Sequence, residues 1–74
     1  MLKSFYHYMM KYRGAGKKSE ERVLADWMFQ DHDFPKHSSS YEEISEYLEM
    51  NSPFPGALRL FDDLWERYET DEMK

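Results

Sequence analysis

The sequence predicts an all-α protein, a compact orthogonal bundle of four short helices. Three observations point there. Apolar residues recur at helical spacing in four separate stretches, glycine and proline punctuate the chain between them, and no stretch shows the strict alternation of a strand or an internal repeat.

The first helix is expected over residues 4–13. Phe5, Tyr8, Met9 and Tyr12 fall on one helical face, Ser4 is placed to cap it, and Gly14 and Gly16 stop it. The second is expected over residues 20–31. Ser19 is its N-cap, Glu20 and Glu21 suit the positive end of the helix dipole, and Val23, Leu24, Trp27 and Met28 form the apolar stripe. Pro35 pushes Phe34 off helical angles, so residues 31–38 read as a loop. Phe34 is expected to plug the core. The third helix opens on Ser40-Tyr41-Glu42-Glu43, a capping box in which serine and glutamate satisfy each other's backbone N–H groups. Tyr41, Ile44, Tyr47 and Leu48 are expected on its inward side, and it ends near Met50 or Asn51, before Pro53. The fourth starts around Pro55 or Gly56 and runs to about Glu69, with Leu58, Phe61, Leu64, Trp65 and Tyr68 inward. Residues 70–74 are expected to fray, which leaves an ordered core over residues 4–69 of a single domain spanning 1–74.

Seventy-four residues bury little surface, and with no cysteine neither a disulfide nor a thiolate metal site can compensate. The remaining device is a dense aromatic core. Aromatic residues make up 18% of the chain, and Trp27 and Trp65 are expected to anchor the packing. No apolar run approaches the length of a membrane span and the N-terminus has no secretory pattern. The cytoplasm is the expected setting, with no membrane partner.

Formal net charge is −5, but it is unevenly spread. Residues 1–22 carry Lys3, Lys11, Arg13, Lys17, Lys18 and Arg22 against Glu20 and Glu21; the rest of the chain is strongly acidic. Such a division suits a surface that binds itself or a charged partner.

Several blocks then resemble a known family. Ser4-Phe5-Tyr6 with Lys11-Tyr12-Arg13, Phe34-Pro35-Lys36, Glu43-Ile44-Ser45 with Tyr47-Leu48-Glu49, and Phe61-Asp62 with Trp65-Glu66 and Tyr68 are similar to the YozE-like family of short bacterial proteins. The resemblance runs from Ser4 to about Tyr68. It implies a fold like the sterile alpha motif, four helices in two crossed hairpins, and it supplies no activity, cofactor or catalytic residue to carry over.

The string Gly14-Ala15-Gly16-Lys17-Lys18-Ser19 resembles the turn of a helix-hairpin-helix motif. Two glycines let backbone N–H groups approach a phosphate, a helix N-terminus follows, and lysines add charge. Gly14, Gly16, Lys17, Lys18 and Arg22 are therefore the candidate contacts for a phosphate or a partner. Glu20 and Glu21 count against a phosphate there. Asp31-His32-Asp33 with His37 offers metal-ligand chemistry but no standard spacing, and reads as a solvated loop in which the aspartates hold the turn. Glu42-Glu43 and Asp62-Asp63 are adjacent pairs whose side chains diverge by about 100° on a helix, so neither converges on a substrate atom. No catalytic triad, nucleophile elbow or cofactor motif is present, so no enzyme, cofactor or small-molecule substrate is expected. The leading expectation is a protein-interaction module, binding another protein or a second copy of itself. The alternative is a nucleic-acid-binding domain that uses residues 14–22.

Overall fold

A computed structural model of the chain describes residues 3–13 and 19–72. Four α-helices form a bundle: α1 (Phe5–Met9), α2 (Glu20–Gln30), α3 (Tyr41–Met50) and α4 (Ala57–Glu72). A 3₁₀ turn over Met10–Tyr12 follows α1. Helix α3 packs on α4, α1 and its 3₁₀ turn pack on α2, and both α1 and α2 lie against α4. Among the described residues no helix is long and apolar enough to cross a membrane.

Ser4 caps α1 as expected, its Oγ accepting the His7 N–H at 3.2 Å. The single helix expected to reach Arg13 instead tightens after Met9 and ends on an extended Arg13. A tighter turn advances each residue by more than 100°, which swings Tyr12 off the stripe and leaves it half-buried.

Helix α2 is rotated from the expected face. Leu24, Ala25 and Met28 are buried, whereas Val23 is 48% exposed and Trp27 is only partly covered. Ala25, too small to weigh in the periodicity, is fully buried. In α3, Ile44 and Leu48 face inward and Tyr41 stays at the surface. Asn51 closes this helix, its N–H and its side-chain amide both donating to the Tyr47 carbonyl. Helix α4 buries Phe61, Leu64, Trp65 and Tyr68 as expected, with Ala57 added and Leu58 at the margin. It runs on to Glu72, three residues past the expected end at Glu69.

The core centres on Phe5 rather than on the two tryptophans. Phe5 meets Phe61 edge-on at 5.1 Å, Tyr68 edge-on at 5.6 Å and Trp65 at 5.4 Å. Such tilted and perpendicular contacts suit the ring quadrupoles and fill volume in a small domain. Trp65 belongs to this centre. Trp27 lies at the edge, packed with Phe34 and Tyr47. Phe34 is buried and plugs the bundle as expected. The Tyr68 hydroxyl donates to the Lys3 carbonyl, and the Phe5 N–H reaches the Ser38 carbonyl at 3.3 Å, fastening both preceding segments to the core.

Candidate functional site

Gly14, Gly16, Lys17 and Lys18 lie outside the described residues; Arg22 lies within them. Arg22 Nε sits 3.7 Å from Asp26 Oδ2, one helical turn on. Its backbone N–H donates to Ser19 Oγ at 3.2 Å. The first turn of α2 thus spends one of its open amide donors on its own cap, beside two glutamates.

Arg13 and Lys11 are likewise turned onto the chain's own carboxylates. Arg13 Nε lies 3.5 Å from Asp26 Oδ1, while its guanidinium stacks 3.4 Å above the Phe29 ring. Lys11 Nζ lies 3.6 Å from Asp71 and 3.9 Å above the Tyr8 ring. Arg67 on α4 pairs with Glu21 at 3.6 Å. The Tyr12 hydroxyl, more than Glu21, pushes the Arg67 guanidinium above its ordinary value. Around these groups a cleft of about 520 Å³ opens between the 3₁₀ turn and the end of α4. Its lining of Lys11 and Arg67 against Asp63, Glu66 and Asp71 mixes both signs and singles out no ligand.

Helices α3 and α4 differ. Helix α3 carries four glutamates and no basic residue, and Glu42, Glu46 and Glu49 stand at i, i+4 and i+7 on its exposed face. Asp62, Glu66 and Glu69 repeat the same spacing on α4, all exposed. No ion pair among the described residues reaches Glu42, Glu46, Glu49 or Glu69. Tyr41 joins the helices: its ring stacks on Phe61 and its hydroxyl donates to Asp62 at 2.6 Å, which raises the phenol above its ordinary value.

The 31–38 loop is built as its aspartates suggest. Asp31 Oδ1 accepts the Asp33 N–H at 3.1 Å and the Asp31 carbonyl accepts the Phe34 N–H at 3.3 Å. Among the described residues no three His, Asp or Glu side chains are grouped to hold a metal ion. Asp31 is also the acceptor for the Tyr47 hydroxyl. Burial, then this carboxylate, pushes the Tyr47 phenol up to about 12.

A second cleft, of about 480 Å³, lies between the ends of α2 and α3. Trp27 and Tyr47 form its walls, Asp31 and Asp33 its rim, and Met50 stands at its mouth with 85% of its surface exposed. Sequence reasoning missed this feature because it assigned Trp27 and Tyr47 to the core. The available signal was an apolar Met50 at the last position of α3, off the stripe set by Ile44 and Leu48.

The family described as YozE SAM-like fold matches residues 4–70. A UPF0346 protein of Bacillus velezensis is 44% identical over 70 residues, covering 95% of each chain. One from Bacillus licheniformis is 48% identical over 67 residues, covering 90% of this chain and 92% of that one. The UPF0346 protein YozE of Bacillus subtilis is 43% identical over 70 residues, covering 95% of each. No solved structure matches. The match covers nearly all of the described bundle, from the Ser4 cap to Thr70 in α4, and the chain belongs to the YozE SAM-like fold family, whose function is uncharacterised.

Proposed function

We propose that the protein is a non-enzymatic binding module whose acidic α3–α4 face docks a basic partner protein. One asymmetry carries this reading. Lys11, Arg13 and Arg22 are engaged by the chain's own carboxylates, while the glutamates on the outer face of α3 are held by no internal cation among the described residues. Like charges aligned on a helix repel one another and destabilise it modestly, so a binding role gives a reason for bearing that cost. A complementary surface would gain speed and selectivity of association from the field of such a face.

Docking onto a second copy is less well supported. Of the basic side that would receive α3 and α4, the described residues Lys11, Arg13 and Arg22 already pair with Asp26 and Asp71. Fold likeness to the sterile alpha motif concerns architecture and supplies no partner.

The test places a photo-crosslinking phenylalanine analogue at position 46, 66 or 20, in cells that make the protein. Protein adducts from positions 46 and 66, lost when Glu42, Glu46 and Glu49 are changed together to lysine in the position-66 variant, are the expected result. When crosslinking is repeated in the lysate of those cells, the adducts should also weaken with added salt, as the screening length falls from about 10 Å at 0.1 M to about 3 Å at 1 M. Adducts of twice the chain mass would replace the partner with a second copy. Nuclease-sensitive adducts from position 20 alone would overturn the reading in favour of nucleic acid.

A further inference from the structure

We infer that the cleft between the ends of α2 and α3 receives an arginine side chain of the partner protein. The inference rests on the binding-module reading and deepens it.

Three separate sources of negative potential meet in this cleft. Helix α2 ends at Gln30 and α3 at Met50, and residues from the last turn of each line the space. A helix C-terminus carries a partial negative charge of about half an electron on its open carbonyls, and a cation beside it is stabilised. Neither last turn contains a basic residue. Asp31 and Asp33 add two carboxylates at the rim. Asp31 is held in place, one oxygen accepting the Tyr47 hydroxyl and the other the Asp33 N–H.

The walls favour one kind of cation. The Trp27 and Tyr47 rings stand 6.2 Å apart at an angle of 40°. Phe34, buried and not part of the cleft's lining, meets both edge-on, at 86° and 85°, and braces them. A guanidinium is planar and weakly hydrated, so it can lie on an aromatic face while its N–H groups point at carboxylates; an ammonium is a compact, strongly hydrated charge. The chain uses this arrangement internally, where Arg13 stacks on Phe29 and pairs with Asp26. Met50, exposed at the mouth, would cover the aliphatic stem of an incoming arginine.

The test titrates the labelled full chain with the peptide acetyl-Gly-Arg-Gly-amide and follows the two indole N–H signals by NMR. The Trp27 indole and the Asp33 amide should shift and saturate. The Trp65 indole, in the core on α4, should stay still. The lysine counterpart should bind several-fold more weakly, because ammonium gains less from ring stacking. Asp33→Asn, at an exposed position, should weaken the arginine peptide about fivefold, and Asp31→Asn with Asp33→Asn about tenfold or more, with thermal melts confirming that each variant folds. No saturation, equal shifts at Trp65, or the same response to the lysine peptide or to calcium chloride would overturn the inference. Crosslinks from positions 46 and 66 beside a silent cleft would remove the arginine site and leave the binding module standing. A responding cleft with no crosslinks would do the reverse.

Discussion

Tyr8 donates its hydroxyl hydrogen to Asp71 Oδ2 at 2.7 Å, joining the first helix to the last turn of α4 across 63 positions of sequence. The bond, with the Lys11–Asp71 pair beside it, ties the last turn of α4 to the first helix, and it links tyrosine chemistry to stability. A free tyrosine titrates at 10.0; in the folded protein burial and then Asp71 hold Tyr8 well above that. Tyr47 is pushed up to about 12 by burial and then by Asp31. The folded state therefore keeps protons that the unfolded chain releases. This stabilisation is complete below the unfolded value and is lost as pH rises through the folded values. Urea midpoints should be flat from neutrality to pH 9 or so and fall steeply between about pH 10 and 12. Tyr8→Phe should cost about 1 kcal/mol at neutral pH and shrink that alkaline fall. An unchanged alkaline slope in the variant would place the titration elsewhere.

The two tryptophans should differ sharply. Trp65 is 9% exposed and touches Phe5, Tyr41, Phe61 and Tyr68. Trp65→Ala removes the largest ring from the centre and should cost about 3–5 kcal/mol, enough to unfold much of so small a domain. Trp27, half-covered at the edge, should cost less than half as much. Thermal denaturation of the pair, followed by circular dichroism, checks the order; equal losses would show that both rings share one core.

The helices were readable because each signal is local. Ser4, Ser19 and Ser40 cap α1, α2 and α3 as their positions imply. The inner face of α4 followed from spacing alone. What escaped depends on other elements. The rotation of α2 buries Ala25 and exposes Val23, whereas apolar periodicity weighs the larger Val23 and passes over Ala25. Charge counts by segment described a basic third and an acidic remainder, but they could not foresee Arg13 and Arg22 sharing Asp26. The cleft at Trp27 and Tyr47 needs two helix ends from distant stretches, which no window of sequence contains.

The capping box at α3 is only half made. Ser40 Oγ accepts the Glu43 N–H at 3.3 Å, but the Ser40 N–H donates to Ser38 Oγ at 3.1 Å instead of turning to the glutamate. Ser40→Ala should therefore cost about 1 kcal/mol, and Ser38→Ala a part of that, since each leaves a helix-start N–H without its partner. Glu43→Gln should change stability by no more than a few tenths of a kcal/mol through the helix dipole. Chemical denaturation of the three single variants decides the matter. A loss at Glu43→Gln as large as that at Ser40→Ala would restore the reciprocal box.

Gly56 sets the entry into α4. Its φ is +86°, in the left-handed region, and it is the last residue before the helix begins at Ala57. Its carbonyl accepts the Leu60 N–H at 3.0 Å, the first bond of the helical ladder. A Cβ added here would meet nothing within 4 Å, so any cost of substitution comes from the backbone and not from crowding. For an alanine that cost is about 1–2 kcal/mol, while asparagine tolerates left-handed angles better. Gly56→Ala should lower the denaturation midpoint accordingly, and Gly56→Asn should recover part of the loss at the same exposed site. If the two variants were equally destabilised, steric conflict would have to replace backbone conformation as the cause. If neither were destabilised, the turn before α4 would be free to adopt an ordinary negative φ.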